Sequence, residues 1–127
     1  MAGESILIVD DNAQNLKLAR FLLVGHGYDV RTAGDAEEAL RALEAWTPRV
    51  ILMDIQLPGM DGLELTQRLK HDPQRRGVII IALTAYAMKG DRERALAAGC
   101  DAYVAKPIDT DALPQMIADL IAAGRRA

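Results

Sequence analysis

Three short apolar runs constrain this chain more than any other feature: Ser5-Ile6-Leu7-Ile8-Val9, Val50-Ile51-Leu52-Met53 and Val78-Ile79-Ile80-Ile81-Ala82-Leu83. Each is too short to cross a bilayer, and none alternates apolar with polar residues, so each predicts a strand covered on both faces. Residues 28–33 and 101–105 supply two further short strands. Between the strands lie segments with helical spacing. Leu16, Ala19 and Leu23, with Leu18, Phe21 and Leu22 beside them, form the first. Ala36, Ala39, Leu40 and Leu43 line the second, with Glu37, Glu38, Arg41 and Glu44 facing water. Leu65 and Leu69 anchor the third, and Leu113, Met116, Ile117, Leu120 and Ile121 mark the last. Five strands alternating with five helices predict an α/β fold: a parallel sheet, helices on both faces, right-handed crossovers. The 127 residues have room for one domain, spanning 1–127, with no repeat or linker.

Local chemistry sets the ends of these segments. Asn12 caps the first helix, and Gly25-His26-Gly27 stops it. Asp35 with Glu38, and Asp61 with Glu64, have the spacing of capped helix starts. Thr47-Pro48 and His71-Asp72-Pro73 close the second and third helices. The fourth helix is expected over residues 85–98, with Gly90 inside it and Gly99 after it. Thr110 is placed to cap the fifth, whose first turn tolerates Pro114.

The strand ends carry the chemistry. The first run ends in Asp10-Asp11, the third strand in Asp54, the fourth in Thr84 and the fifth in Lys106-Pro107. Taken singly, each has an ordinary role as a cap, a loop carboxylate or a solvated charge. In an open parallel sheet, however, ligands bind at the carboxyl ends of the strands, and four of the five tips here carry groups that can handle a phosphoryl group. Like charges 4 Å apart repel by about 4 kcal/mol at an effective dielectric of 20, so three gathered carboxylates demand a cation. Mg²⁺ suits them, because it takes hard oxygen ligands and keeps positions open for water and phosphate oxygens. A carboxylate beside such an ion can attack phosphorus and become an acyl phosphate. Asp54, alone on a central strand, is the acceptor candidate. Lys106 and the Thr84 hydroxyl would then neutralise and hydrogen-bond the equatorial oxygens.

Several classes are excluded. A net charge of −3 argues against nucleic-acid binding, which needs a clustered excess of Lys and Arg. No apolar run approaches the roughly 20 residues of a membrane span, and the N-terminus lacks a signal pattern, so a cytoplasmic location is expected. Cys100 is the only cysteine and reads as a small turn residue, not a nucleophile. His26 and His71 lack any zinc-ligand spacing.

Together, Ile8-Val9-Asp10-Asp11-Asn12, Met53 to Gly62, Leu83-Thr84-Ala85 and Tyr103-Val104-Ala105-Lys106-Pro107 resemble the receiver domain of bacterial response regulators, the CheY-like fold. The resemblance spans essentially the whole chain. It implies a doubly wound, flavodoxin-like (βα)5 architecture with the family's strand order 2-1-3-4-5. It implies that a histidine kinase or histidine phosphotransfer protein phosphorylates Asp54. Mg²⁺ would be held by Asp11, Asp54 and the backbone carbonyl of Gln56, with Asp10 assisting through water. It further implies a switch in which Thr84 moves inward and Tyr103 fills the vacated space. This would alter the face made by the fourth helix, fifth strand and fifth helix, where a downstream protein docks. In the family the lysine–proline bond, here Lys106-Pro107, is typically cis.

The last helix ends within a few residues of Ala127, so no output domain is expected. The chain is similar to stand-alone receivers of the DivK type and also to receivers attached to hybrid histidine kinases, and its short ends favour the former. Such a protein promotes its own phosphorylation and dephosphorylation and is not an enzyme toward outside substrates. The rival reading is a small phosphatase of the haloacid dehalogenase type, which also uses an Asp nucleophile, Mg²⁺, Thr or Ser, and Lys. Those enzymes carry D-x-D on the first strand, whereas Asp10 and Asp11 are adjacent, and no cap insertion is present.

Overall fold

The computed structural model describes residues 4–57, 59–60, 62–84, 90–106 and 108–125. In chain order the elements are β1 (Ser5–Val9), α1 (Ala13–Gly25), β2 (Asp29–Ala33), α2 (Ala36–Ala45), β3 (Val50–Asp54), α3 (Gly62–His71), β4 (Ile79–Thr84), α4 (Asp91–Ala98), β5 (Ala102–Ala105) and α5 (Ala112–Arg125). The strands form one sheet in the order β2-β1-β3-β4-β5, and every pairing is parallel. The expected architecture is therefore the observed one.

Two cores explain the unbroken apolar runs. Leu7, Val9, Ile51, Met53, Ile80 and Ala82 point to one side of the sheet, where α2, α3 and α4 cover them. Their neighbours Ile6, Ile8, Val50, Leu52, Ile81 and Leu83 point to the other side, under α1 and α5. Because strand side chains alternate between faces, a strand covered on both must be apolar at every position. β3 and β4 are buried along their whole length, whereas the edge strands β2 and β5 are only partly covered.

The local signals decide most helix ends. The Asn12 side chain accepts from the Asn15 N–H at 3.0 Å, and Asp35 accepts from the Glu38 N–H at 2.8 Å, as their positions predict. Other expectations need correcting. α4 begins at Asp91, because Gly90 is its N-cap at φ 91° and not an interior residue; positions 85–89 of the expected helix lie outside the described residues. Asp109, not Thr110, supplies the oxygen at the start of α5, accepting from the N–H groups of Asp111 at 2.9 Å and Ala112 at 3.0 Å. Asp61, the expected cap of α3, lies outside the described residues. Leu18 and Phe21 do not join Ala19 and Leu23 in the core: Phe21 is 82% exposed.

One contact positions the site directly. A Cβ at Gly62 would lie 2.3 Å from the Asp54 carbonyl oxygen and 2.8 Å from the Ile55 Cα. α3 can therefore start against the end of β3 only because residue 62 lacks a side chain. The Thr66 hydroxyl, buried one turn on, donates to the Gly62 carbonyl at 2.8 Å and ties down that first turn.

Candidate functional site

The carboxyl ends of four strands meet at one edge of the sheet. Asp10 and Asp11 follow β1, Asp54 and Thr84 are the last residues of β3 and β4, and Lys106 follows β5. Backbone bonds carry the ladder beyond the strands. Asp10 N–H donates to Ala33 O at 3.1 Å, Ile55 N–H to Leu83 O at 3.0 Å, and Lys106 N–H to Thr84 O at 2.7 Å. The tips are thus held in register by the sheet itself.

Asp10 and Asp54 are fixed in the same way. One oxygen of each accepts the N–H two residues on, Asn12 for Asp10 and Gln56 for Asp54, both at 2.9 Å. The other oxygen turns to the Lys106 ammonium, 2.7 Å from Asp10 and 3.1 Å from Asp54. The pairing of Lys106 with Asp10 was not foreseen, since it joins residues 96 apart in the chain and no local pattern encodes it. Both carboxylates are buried, whereas Asp11 is exposed at the mouth.

One ammonium cannot compensate two buried carboxylates. Burial pushes the Asp54 carboxyl above its ordinary value, and the Asp10 charge adds to this; the Gln56 N–H and Lys106 pull the other way without cancelling it. Burial alone would lower the Lys106 ammonium, but the bonds and charges from Asp10 and Asp54 outweigh it and hold it above the usual lysine value. The crevice therefore keeps an excess of negative charge after Lys106 has been satisfied.

A divalent cation fits that excess. Asp10, Asp11 and Asp54 each offer a carboxylate oxygen, and the three oxygens lie within 4.8 Å of one another. The donor set is entirely hard oxygen, two donors are immobilised by backbone N–H groups, and the third opens to water. Those are the terms on which Mg²⁺ binds. Gln56, whose N–H orients Asp54, is itself exposed.

Other residues singled out in the sequence fall as follows. Thr84 is fully buried at the end of β4, one residue beyond the Cα partner of Asp54. Tyr103 pairs with Ala82 and packs, half-buried, on the α2–α4 side of the sheet. Burial raises its phenol, and the carboxylate of Asp91 adds to that effect. His71 rests its Nδ1 2.7 Å from Gln67 O, and His26 closes α1, so neither approaches the acidic cluster as a ligand. Cys100 is buried, its thiol pushed up by desolvation and directed at the Thr66 hydroxyl. The contact of Gly62 with the Asp54 carbonyl has no signature in the chain.

Comparison with known proteins agrees with this geometry. Residues 6–118 match the family model for the response regulator receiver domain. The polar-differentiation response regulator DivK of Brucella anthropi is 48% identical over 105 residues, 83% of this chain and 85% of that protein. A CheY-like receiver domain protein from Methanospirillum hungatei superposes with a TM-score of 0.90 at 33% identity, covering 98% of each chain. The receiver domain of a signal transduction histidine kinase from Syntrophus aciditrophicus gives the same TM-score at 30% identity, over 98% of this chain and 95% of that one.

Proposed function

The chain belongs to the family of response regulator receiver domains, and from that membership we propose that Asp54 is its phosphoacceptor, loaded from a phosphohistidine of a histidine kinase or histidine phosphotransfer protein. The observation that supports this reading best is the convergence of Asp10, Asp11 and Asp54 within 4.8 Å, with the Lys106 ammonium against two of them.

In the transfer, a carboxylate oxygen of Asp54 attacks phosphorus while the P–N bond breaks. The electron pair returns to the imidazole, and an acyl phosphate remains on Asp54. Asp11, Asp54 and the Gln56 backbone carbonyl, with Asp10 assisting, would hold Mg²⁺, which would supply positive charge to the phosphoryl oxygens. The protein's own groups do the rest. The Gln56 N–H keeps the acceptor from rotating, and Lys106 exchanges its bond to Asp54 for one to a phosphoryl oxygen. The Thr84 hydroxyl donates to another.

The new group brings close to two negative charges to the tips of β3 and β4. Thr84 is drawn toward it and Tyr103 follows, and the face of α4, β5 and α5 presents the result to a downstream protein. The Lys106 N–H bond to the Thr84 carbonyl supports this route, because it couples the fourth and fifth strand ends. We read the protein as a cytoplasmic signalling domain and not an enzyme toward outside substrates. Among the described residues no helix is long and apolar enough to cross a membrane. Nothing in the comparisons favours the haloacid dehalogenase alternative.

Acetyl phosphate with Mg²⁺ tests the reading. Intact mass should show one added phosphoryl group, absent from Asp54→Asn. Unchanged labelling of that variant, or steady turnover of a general phosphomonoester, refutes the assignment.

A further inference from the structure

Thr66 is fully buried on α3, on the side of the sheet that α3 shares with α2 and α4. Its hydroxyl donates to the Gly62 carbonyl at 2.8 Å, and the thiol of Cys100, which lies between α4 and β5, donates to the hydroxyl oxygen at 3.8 Å. Burial keeps that thiol protonated, so the hydroxyl's own proton is left for Gly62. Local stability does not account for a threonine here. Bonding back to the carbonyl four residues earlier slightly destabilises a helix, and burying a hydroxyl costs more than burying the methyl of a valine in the same space.

The carbonyl that Thr66 holds belongs to the residue on which the acceptor strand rests. Gly62 lies so close to the Asp54 carbonyl that a Cβ would be 2.3 Å from it, and the Gly62 N–H donates to the Ile55 carbonyl at 3.3 Å. The Ile55 carbonyl and the Gln56 N–H are the two ends of one planar peptide group, so whatever tilts the first tilts the second. The Gln56 N–H donates in turn to Asp54 Oδ1 at 2.9 Å, whereas Lys106 bonds the other oxygen, Oδ2. The acceptor carboxylate is thus held from two sides, by the ammonium and by a chain of bonds that begins at Thr66.

We propose that Thr66 is a positioning residue for the acceptor. Its hydroxyl fixes the first turn of α3 against the end of β3, and so sets the peptide between Ile55 and Gln56. That peptide aims the Asp54 carboxylate and the Gln56 carbonyl at Mg²⁺, a role that rests on Asp54 and Gln56 being ligands of the ion. Thr66→Val keeps the volume and loses the bond, and Thr66→Ser keeps the bond.

Heteronuclear NMR of the isotope-labelled full chain, titrated with Mg²⁺, tests this without any phosphodonor. Before the ion is added, the Gln56 amide proton should move upfield in Thr66→Val, as its bond to Asp54 lengthens, and return to the wild-type position in Thr66→Ser. The midpoint of the Mg²⁺ titration should rise about fivefold in Thr66→Val, less than the roughly ten- to hundredfold loss typical of a group bonded directly to a metal ligand, because Thr66 is one link further off. Serine should restore it. Leu69→Val, which trims the same buried face of α3 and has no bond to Gly62, should change neither readout. A Gln56 amide that Thr66→Val leaves in place, an unchanged midpoint, an equal response of Leu69→Val or a failure of serine to rescue overturns the proposal. A wild type whose Asp54, Ile55 and Gln56 amides ignore Mg²⁺ refutes the ligand assignment instead, and the Gln56 shift, read without the ion, still decides the role of Thr66.

Discussion

Two lysines show how the ends of this sheet differ. At the amino end of β4, Lys70 donates to the carbonyls of Val78 at 2.8 Å and Arg76 at 3.3 Å and to one carboxylate, Asp101, at 3.1 Å. Asp101 is shared in turn with the Ile80 N–H at 2.8 Å. Each charge there has neutral partners and a single counter-ion. At the carboxyl end Lys106 faces two buried carboxylates, and an oxygen of a third, Asp11, lies within 4.8 Å of theirs. The first arrangement is closed and acts as a staple between α3 and the sheet. The second is left with surplus negative charge, which makes it receptive to cations.

The comparison can be broken at several points. The largest effect is expected at Asp54: Asn there should eliminate phosphoryl addition altogether, whereas Lys70→Met should leave the labelled fraction unchanged once the protein is folded, both read by intact mass. Next is the cation. Mg²⁺ at a hundredfold excess over its dissociation constant should stabilise the fold by about 2.7 kcal/mol in thermal unfolding, and Asp11→Asn should forfeit most of that gain. Stabilisation of the variant equal to wild type would move the ion elsewhere.

Lys70→Met should cost about 1 kcal/mol in urea unfolding by removing the bonds to the Val78 and Arg76 carbonyls and to Asp101. Neither Mg²⁺ nor acid should restore it. Lys106→Met should also destabilise the protein at neutral pH, but there Mg²⁺ should recover the loss. Equal responses of the two variants would erase the distinction between staple and site.

The smallest effect is in pH dependence. The Asp54 carboxyl lies above its ordinary value in the folded protein, so the native state holds that proton more tightly than the unfolded chain. Its contribution is most favourable below the ordinary carboxylate value and is lost as pH rises through the raised one. Asp54→Asn should flatten that part of the stability profile. The Lys106 contribution, raised likewise, persists to alkaline pH and disappears only above the ordinary lysine value. A wild-type profile identical to that of Asp54→Asn would contradict the raised carboxyl.

Much of this was legible in the chain because it is encoded locally. The unbroken apolar character of β3 and β4 identifies strands covered twice, and Asn12 and Asp35 cap helices through bonds to N–H groups three residues on. The gathering of Asp10, Asp11, Asp54, Thr84 and Lys106 at one edge follows once the sheet is parallel. What could not be read depends on distant partners. Nothing near Lys106 announces Asp10, and nothing near Gly62 announces a backbone 2.3 Å from where its Cβ would be. Phe21 has helical spacing from the core residues, and only packing shows that it faces outward. At α5, Asp109 and Thr110 both carry an oxygen able to accept at a cap, and it is Asp109 that accepts from the Asp111 and Ala112 N–H groups.

Gly62 sets the clearance between α3 and the carbonyl of Asp54. A single methyl there would act as a shim, tilting α3 off the strand and carrying Asp54 out of the reach of Lys106. Anyone grafting this chemistry onto another scaffold must therefore transplant an empty space along with the acidic and basic groups, and a randomised library at position 62 should return the parent residue alone.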